Sequence, residues 1–95
     1  MSVNFTNEYV MNKIQLLSKT YWFASDIQAY LDCSKVKAVK IKDIVASTKG
    51  TILINEEEVK KAVRTDDVIK CLGGNGRLEE IEILQKTMEI LGRLN

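Results

Sequence analysis

Between positions 34 and 49 the chain reads SKVKAVKIKDIVASTK, where five lysines, Lys35, Lys37, Lys40, Lys42 and Lys49, face a single acid, Asp43. Ammonium groups at this density suit one kind of chemistry, the pairing of point charges with a polyanion such as a phosphate backbone, an attraction that weakens with salt. At 3.6 residues per turn the segment sorts into two arcs. Ala38, Ile41, Ile44 and Val45 share the arc expected to face a core, and Lys35, Val36, Val39, Lys40, Asp43 and Ser47 share the opposite one. Lys37 and Lys42 border the outward arc. A purely solvated face does not favour two bare valines among lysines, although single exposed apolar residues are common.

Other chemistry is sparsely provided. The chain has no histidine and two cysteines, which excludes a mixed-ligand zinc site and cannot complete a structural tetrahedron, so neither metal nor cofactor is expected. Cys33 and Cys71 each stand beside apolar residues in helical patterns and read as reduced, packed thiols. The acids Glu56, Glu57, Glu58, Glu79, Glu80 and Glu82 read as helix-start or solvated charges rather than as a catalytic pair on an apolar background. Gly73-Gly74-Asn75-Gly76 lacks the lysine and hydroxyl that follow a nucleotide-binding glycine loop, and reads as a joint. No enzyme is expected.

The 95 residues, 45% hydrophobic and 28% charged, suit one small folded domain with one core. No apolar run approaches the roughly 20 residues that span a bilayer, and the N-terminus MSVNFTNEYV lacks the features of a secretory signal, so a cytoplasmic protein is expected. The net charge of +1 argues against a sequence-blind coat of nucleic acid. Its distribution is uneven: residues 1–50 carry +3 and residues 51–95 carry −2.

Several elements must position the lysine-rich segment. A first helix is expected over Asn4–Ser18, capped by Thr6 or Asn4, with Val10, Ile14 and Leu17 forming its apolar stripe. Tyr21-Trp22-Phe23 reads as a wedge between helices. A short helix begins at Ser25-Asp26 with Ile27, Tyr30 and Leu31 on its apolar face. It ends near Asp32-Cys33, and Ser34 caps the lysine-rich helix, which runs to about Ser47 with Gly50 as terminator. Thr51-Ile52-Leu53-Ile54 and Val59–Val63 read as a hairpin; a helix over 56–72 competes, because Asn55 and Glu58 form a capping box. Thr65-Asp66-Asp67 starts a short helix, which favours the hairpin.

A last helix spans Arg77–Leu94 with two apolar stripes, Ile81, Leu84, Met88 and Leu91 on one and Ile83, Ile90 and Leu94 on the other. One stripe packs on the preceding domain, and a second copy of the same helix is the simplest cover for the other. The expected organisation is therefore a domain over 1–73 and a C-terminal helix over 74–95 that serves in dimerisation.

Helix, short helix, tight turn, basic helix, hairpin and helix is the element order of a winged helix-turn-helix, a mostly α (α+β) fold. The stretch YWFASDIQAYLDCSKVKAVKI, a glycine, a β-like run and VRTDDVIKCLG resembles the small DNA-binding proteins of phages and mobile elements of Gram-positive bacteria, related to excisionase and MerR-type winged helices. It covers about residues 19–73. The resemblance implies that Ile27–Leu31 lies in a positioning helix and that Ser34–Val45 enters the major groove. It implies binding to double-stranded DNA inside a bacterial host cell. Two positions depart from the pattern: Asp32 stands where such turns usually carry glycine, and the tip Glu56-Glu57-Glu58 is acidic.

The DNA-binding set expected on these grounds is Ser34, Lys35, Val36, Lys37, Val39, Lys40, Lys42, Asp43 and Ser47, with Lys60 and Lys61 on the returning strand. The lysines contact phosphate, and the valines meet thymine methyl groups. A transcriptional regulator or an excision or replication accessory factor fits this set. The alternative is a protein-interaction module on the same scaffold that binds a host or phage protein, which the acidic second half favours.

Overall fold

The computed structural model describes residues 7–55 and 60–94. The proposed caps Asn4 and Thr6, the acidic tip Glu56, Glu57 and Glu58, and Val59 lie outside the described residues. The element order is α1 (Asn7–Leu17), β1 (Tyr21–Trp22), α2 (Ala24–Leu31), α3 (Lys35–Lys49), β2 (Ile52–Asn55), β3 (Lys60–Arg64), α4 (Thr65–Cys71) and α5 (Arg77–Leu94). The chain is mostly helical with a small antiparallel sheet of order β1-β3-β2.

The aromatic run does more than wedge helices apart. Tyr21 and Trp22 form a strand that pairs with β3, Tyr21 opposite Arg64 and Trp22 opposite Val63. The sequence pattern did not reveal this, because two residues are too few for an alternation to register. Trp22 is fully buried, its Nε1 donates to the Leu16 carbonyl at 2.8 Å, and its ring lies 5.0 Å from that of Tyr30. Burial is the main cause that raises the Tyr30 hydroxyl above the usual tyrosine range, with Glu80 and Tyr9 adding to it. Lys13 lies over the same ring at 4.4 Å and donates to the Tyr30 carbonyl, which ties α1 to α2.

The hairpin wins over the competing helix. Ile52 pairs with Ala62 and Leu53 with Lys61, with an irregularity before Asn55 meets Lys60. The return strand, described from Lys60, extends to Arg64, one residue past the expected Val63, and α4 begins at Thr65 as expected. Thr65 is buried instead of capping: its hydroxyl donates to the Lys19 carbonyl at 2.7 Å and its N–H to the Thr20 carbonyl at 3.1 Å. Asp66 and Asp67 in the first turn complement the helix dipole.

One core joins these elements: Leu17, Trp22, Ile27, Ala38, Val45, Val63, Val68 and Ile69 are buried together. Ile81 and Leu84 of α5 pack against the same cluster, so the last helix closes the core of the first 73 residues rather than standing apart from it. Asp66 Oδ1 accepts from Arg77 N at 2.8 Å, capping α5, and Arg77 Nη1 donates to the Leu17 carbonyl at 3.3 Å. Gly74 permits this corner, because a Cβ there would stand 2.6 Å from Ile69 Cγ2. Cys33 is half-buried, but Cys71 is exposed, contrary to the expectation of two packed thiols.

Thr65→Val keeps the volume of the side chain and removes its donor. We expect a loss of about 1 kcal/mol, read as a lower urea midpoint with an unchanged slope; an unaltered midpoint would show that this tie between α4 and the segment before β1 adds nothing to stability.

Candidate nucleic-acid interface

The lysine-rich helix is held by its two ends and by one narrow buried stripe. α2 precedes it, with Phe23, not Ser25, at the capping position; Asp26 Oδ2 accepts from Phe23 N at 2.9 Å and Asp26 Oδ1 pairs with Lys19 at 2.8 Å. Asp32, Cys33 and Ser34 form the turn. Asp32 adopts φ 51° and ψ 51°, the left-handed conformation for which similar turns use glycine. Aspartate bears that conformation better than most residues. Ser34 then caps α3 by accepting from Lys37 N at 3.2 Å, and Gly50, at φ 91°, ends it as expected, the helix running to Lys49 rather than to about Ser47.

Ala38 and Val45 are the buried residues of α3, with Ile41 partly buried beside them. Ile44 departs from the expected core arc and is 58% exposed. At 100° per residue it lies about 110° from the direction shared by Ala38 and Val45. The spacing therefore held the signal, but four apolar residues were grouped where the core admits three. Lys42 lies about 50° from that same direction, and its side chain is half-covered rather than outward.

The exposed surface of α3 comprises Lys35, Val36, Lys37, Val39, Lys40, Asp43, Ile44, Ser47, Thr48 and Lys49, and Ser34 is exposed at its start. Val36 is 66% and Val39 37% exposed. Among the described residues none of Lys35, Lys37, Lys40, Lys42 and Lys49 enters an ion pair, whereas Lys19, Arg77 and Lys86 pair with Asp26, Asp66 and Glu82. The first turn of α3 contains no acid. Lys35 and Lys37 there oppose the positive end of the helix dipole, which costs stability; beside a bound anion, the same lysines and dipole act in concert. Lys61 is exposed on β3, while Lys60 is placed only by its backbone pairing with Asn55.

The two stripes of α5 separate as their spacing predicts. Ile81, Leu84, Met88 and Leu91 are partly buried on the side of the core, and Ile83 and Ile90 are 50% and 55% exposed. Leu78 is exposed as well, and the side chain of Leu94 lies outside the described ones. Among the described residues no group of three or more potential ligands is arranged to hold a metal ion, and no helix is long and apolar enough to cross a membrane. Comparison with protein-family models, curated proteins and solved structures returns no match to this chain.

The left-handed turn generates a test. Asp32→Val should destabilise the fold by about 1–2 kcal/mol, because a β-branched side chain is penalised most at positive φ. Asp32→Gly should unfold at a higher urea midpoint than Asp32→Val, because glycine bears positive φ without strain. Equal urea midpoints for valine and glycine would refute the assigned turn.

Proposed function

We propose that the protein is a winged helix-turn-helix that binds double-stranded DNA in a sequence-specific manner, with α3 in the major groove and no chemistry performed on the nucleic acid. The reading rests above all on α3: unpaired lysines, a first turn without acids, and apolar side chains exposed between them. The short α2, the three-residue turn at Asp32-Cys33-Ser34 and the sheet order β1-β3-β2 with the β2–β3 hairpin directly after α3 are consistent with that fold.

In this reading Lys35, Lys37 and Lys40 meet phosphates, with Lys42 reaching from the flank of the helix, and Lys61 adds a contact from the hairpin. The resemblance to proteins of phages and mobile elements makes a transcriptional regulator, or an excision or replication accessory factor acting in the bacterial cytoplasm, the role that fits. A homodimer through the outward stripe of α5 would present two reading helices to two half-sites.

A second reading draws on the same outward residues. Leu78, Ile83 and Ile90 are exposed beside Glu79, Glu82 and Lys86, a surface suited to a host or phage protein.

Selection from a random duplex library tests the first reading. One enriched motif is expected, lost with Lys40→Glu. Because each neutralised phosphate contributes about 0.9 to the slope of log affinity against log salt, Lys40→Gln should lower that slope by roughly 0.9. No enriched motif from folded protein would transfer the weight to the second reading.

For the assembly, light scattering should show a dimer that Ile83→Glu or Ile90→Glu converts to a folded monomer. A monomeric wild-type protein at high micromolar concentration would eliminate the dimer and leave single-site DNA binding intact.

A further inference from the structure

The exposed polar atoms of α3 are poorly suited to reading purines. Its sequence, KVKAVKIKDIVASTK, contains no arginine, asparagine or glutamine, whose planar ends grip guanine or adenine through two hydrogen bonds; lysine also reaches guanine O6 and N7, but as a flexible point charge. The hydroxyls of Ser47 and Thr48 both donate back to the Ile44 carbonyl, at 3.0 and 2.9 Å. The remaining lysines carry charge on flexible stems and favour phosphate over any one base. Discrimination between sequences then falls largely to Val36, Val39 and Ile44, with the Asp43 carboxylate as an acceptor beside them.

These three side chains are exposed without forming an apolar stripe. Val36, Lys40 and Ile44 follow one another at intervals of four, so a charge interrupts the line. A partner helix or a lipid surface would have to bury or displace that ammonium. The partner that matches is one with anionic walls and isolated methyl groups between them. The DNA major groove has this form: phosphates line its edges, and each thymine projects a C5 methyl into it. Double-stranded RNA does not, since uracil lacks the methyl and the A-form major groove is too narrow for side chains to read. Val36 and Ile44 are eight residues apart, about 12 Å along the helix, which spans three to four base pairs.

We infer that Val36, Val39 and Ile44 read thymine methyl groups, so that the protein selects duplexes carrying several thymines within a core of three to four base pairs. This rests on the DNA-binding reading and names what that site recognises.

The test uses the duplex enriched from the random library, synthesised once with thymidine and once with deoxyuridine in its core, which removes the methyl groups and leaves every hydrogen-bonding atom. Affinity should fall roughly fourfold for each methyl group in contact. With Val36→Ser the two duplexes should differ by less than they do for the wild type, through a loss confined to the thymidine duplex. Val36 is largely exposed, so the variant is expected to fold. Equal affinity of the wild-type protein for both duplexes, with Lys40→Glu still abolishing binding, overturns the methyl reading and leaves DNA binding standing. Failure to enrich any duplex overturns both.

Discussion

The fold depends on the burial of Trp22. Its backbone pairs with Val63, its indole N–H reaches the Leu16 carbonyl at 2.8 Å, and its ring rests against Tyr30. One side chain thereby sets where α1 ends, how β1 lies on β3 and how α2 sits on both. A two-residue strand has too few ladder bonds to persist alone. It persists here because the buried indole is anchored by its bond to the Leu16 carbonyl, and because Thr65 fastens the adjoining carbonyls of Lys19 and Thr20. α3 inherits its orientation from this arrangement through Ile27, Ala38 and Val45, which share the same cluster.

What could be read in advance follows from the range of the interactions concerned. The caps of α3 were legible at Ser34 and Gly50, the left-handed turn at Asp32 and the full extent of α5, because each is decided within a few residues. The hairpin is legible on the same basis, since Thr65-Asp66-Asp67 competes with a continuous helix. The pairing of β1 with β3 was not legible. It joins residues more than forty positions apart, and nothing local in Tyr21-Trp22 distinguishes a strand from a wedge. Thr65 begins α4 as its sequence indicates, but the bond from its hydroxyl to the Lys19 carbonyl is not legible locally, because it joins residues 46 positions apart. On the candidate surface the lysines were legible and their flanks were not. The outward placement of Ile44 and the half-covered stem of Lys42 depend on how narrow the core is beneath α3, which only the packing of α2 and α4 determines.

The charge pattern is best judged against other helices of the same chain. α4 begins with Asp66 and Asp67 and α5 with Glu79 and Glu80, each placing acids where the dipole favours them. α3 inverts the arrangement with Lys35 and Lys37, has no acid in its first turn, and exposes three apolar side chains besides. Each misplaced charge costs about 0.3–1 kcal/mol at an exposed helix end, and a domain of this size has a total stability on the order of 5–10 kcal/mol. The sum is tolerable, but it is not what stability alone would select. The near-neutral total hides the contrast, since the acids of the second half offset the lysines of the first. A helix with only Ala38 and Val45 fully buried and a first turn set against its own dipole must be supported by its neighbours. The supports are the turn at Asp32, the cap at Ser34 and the packing on α2 and α4, and they hold in place a surface whose residues the fold itself does not require.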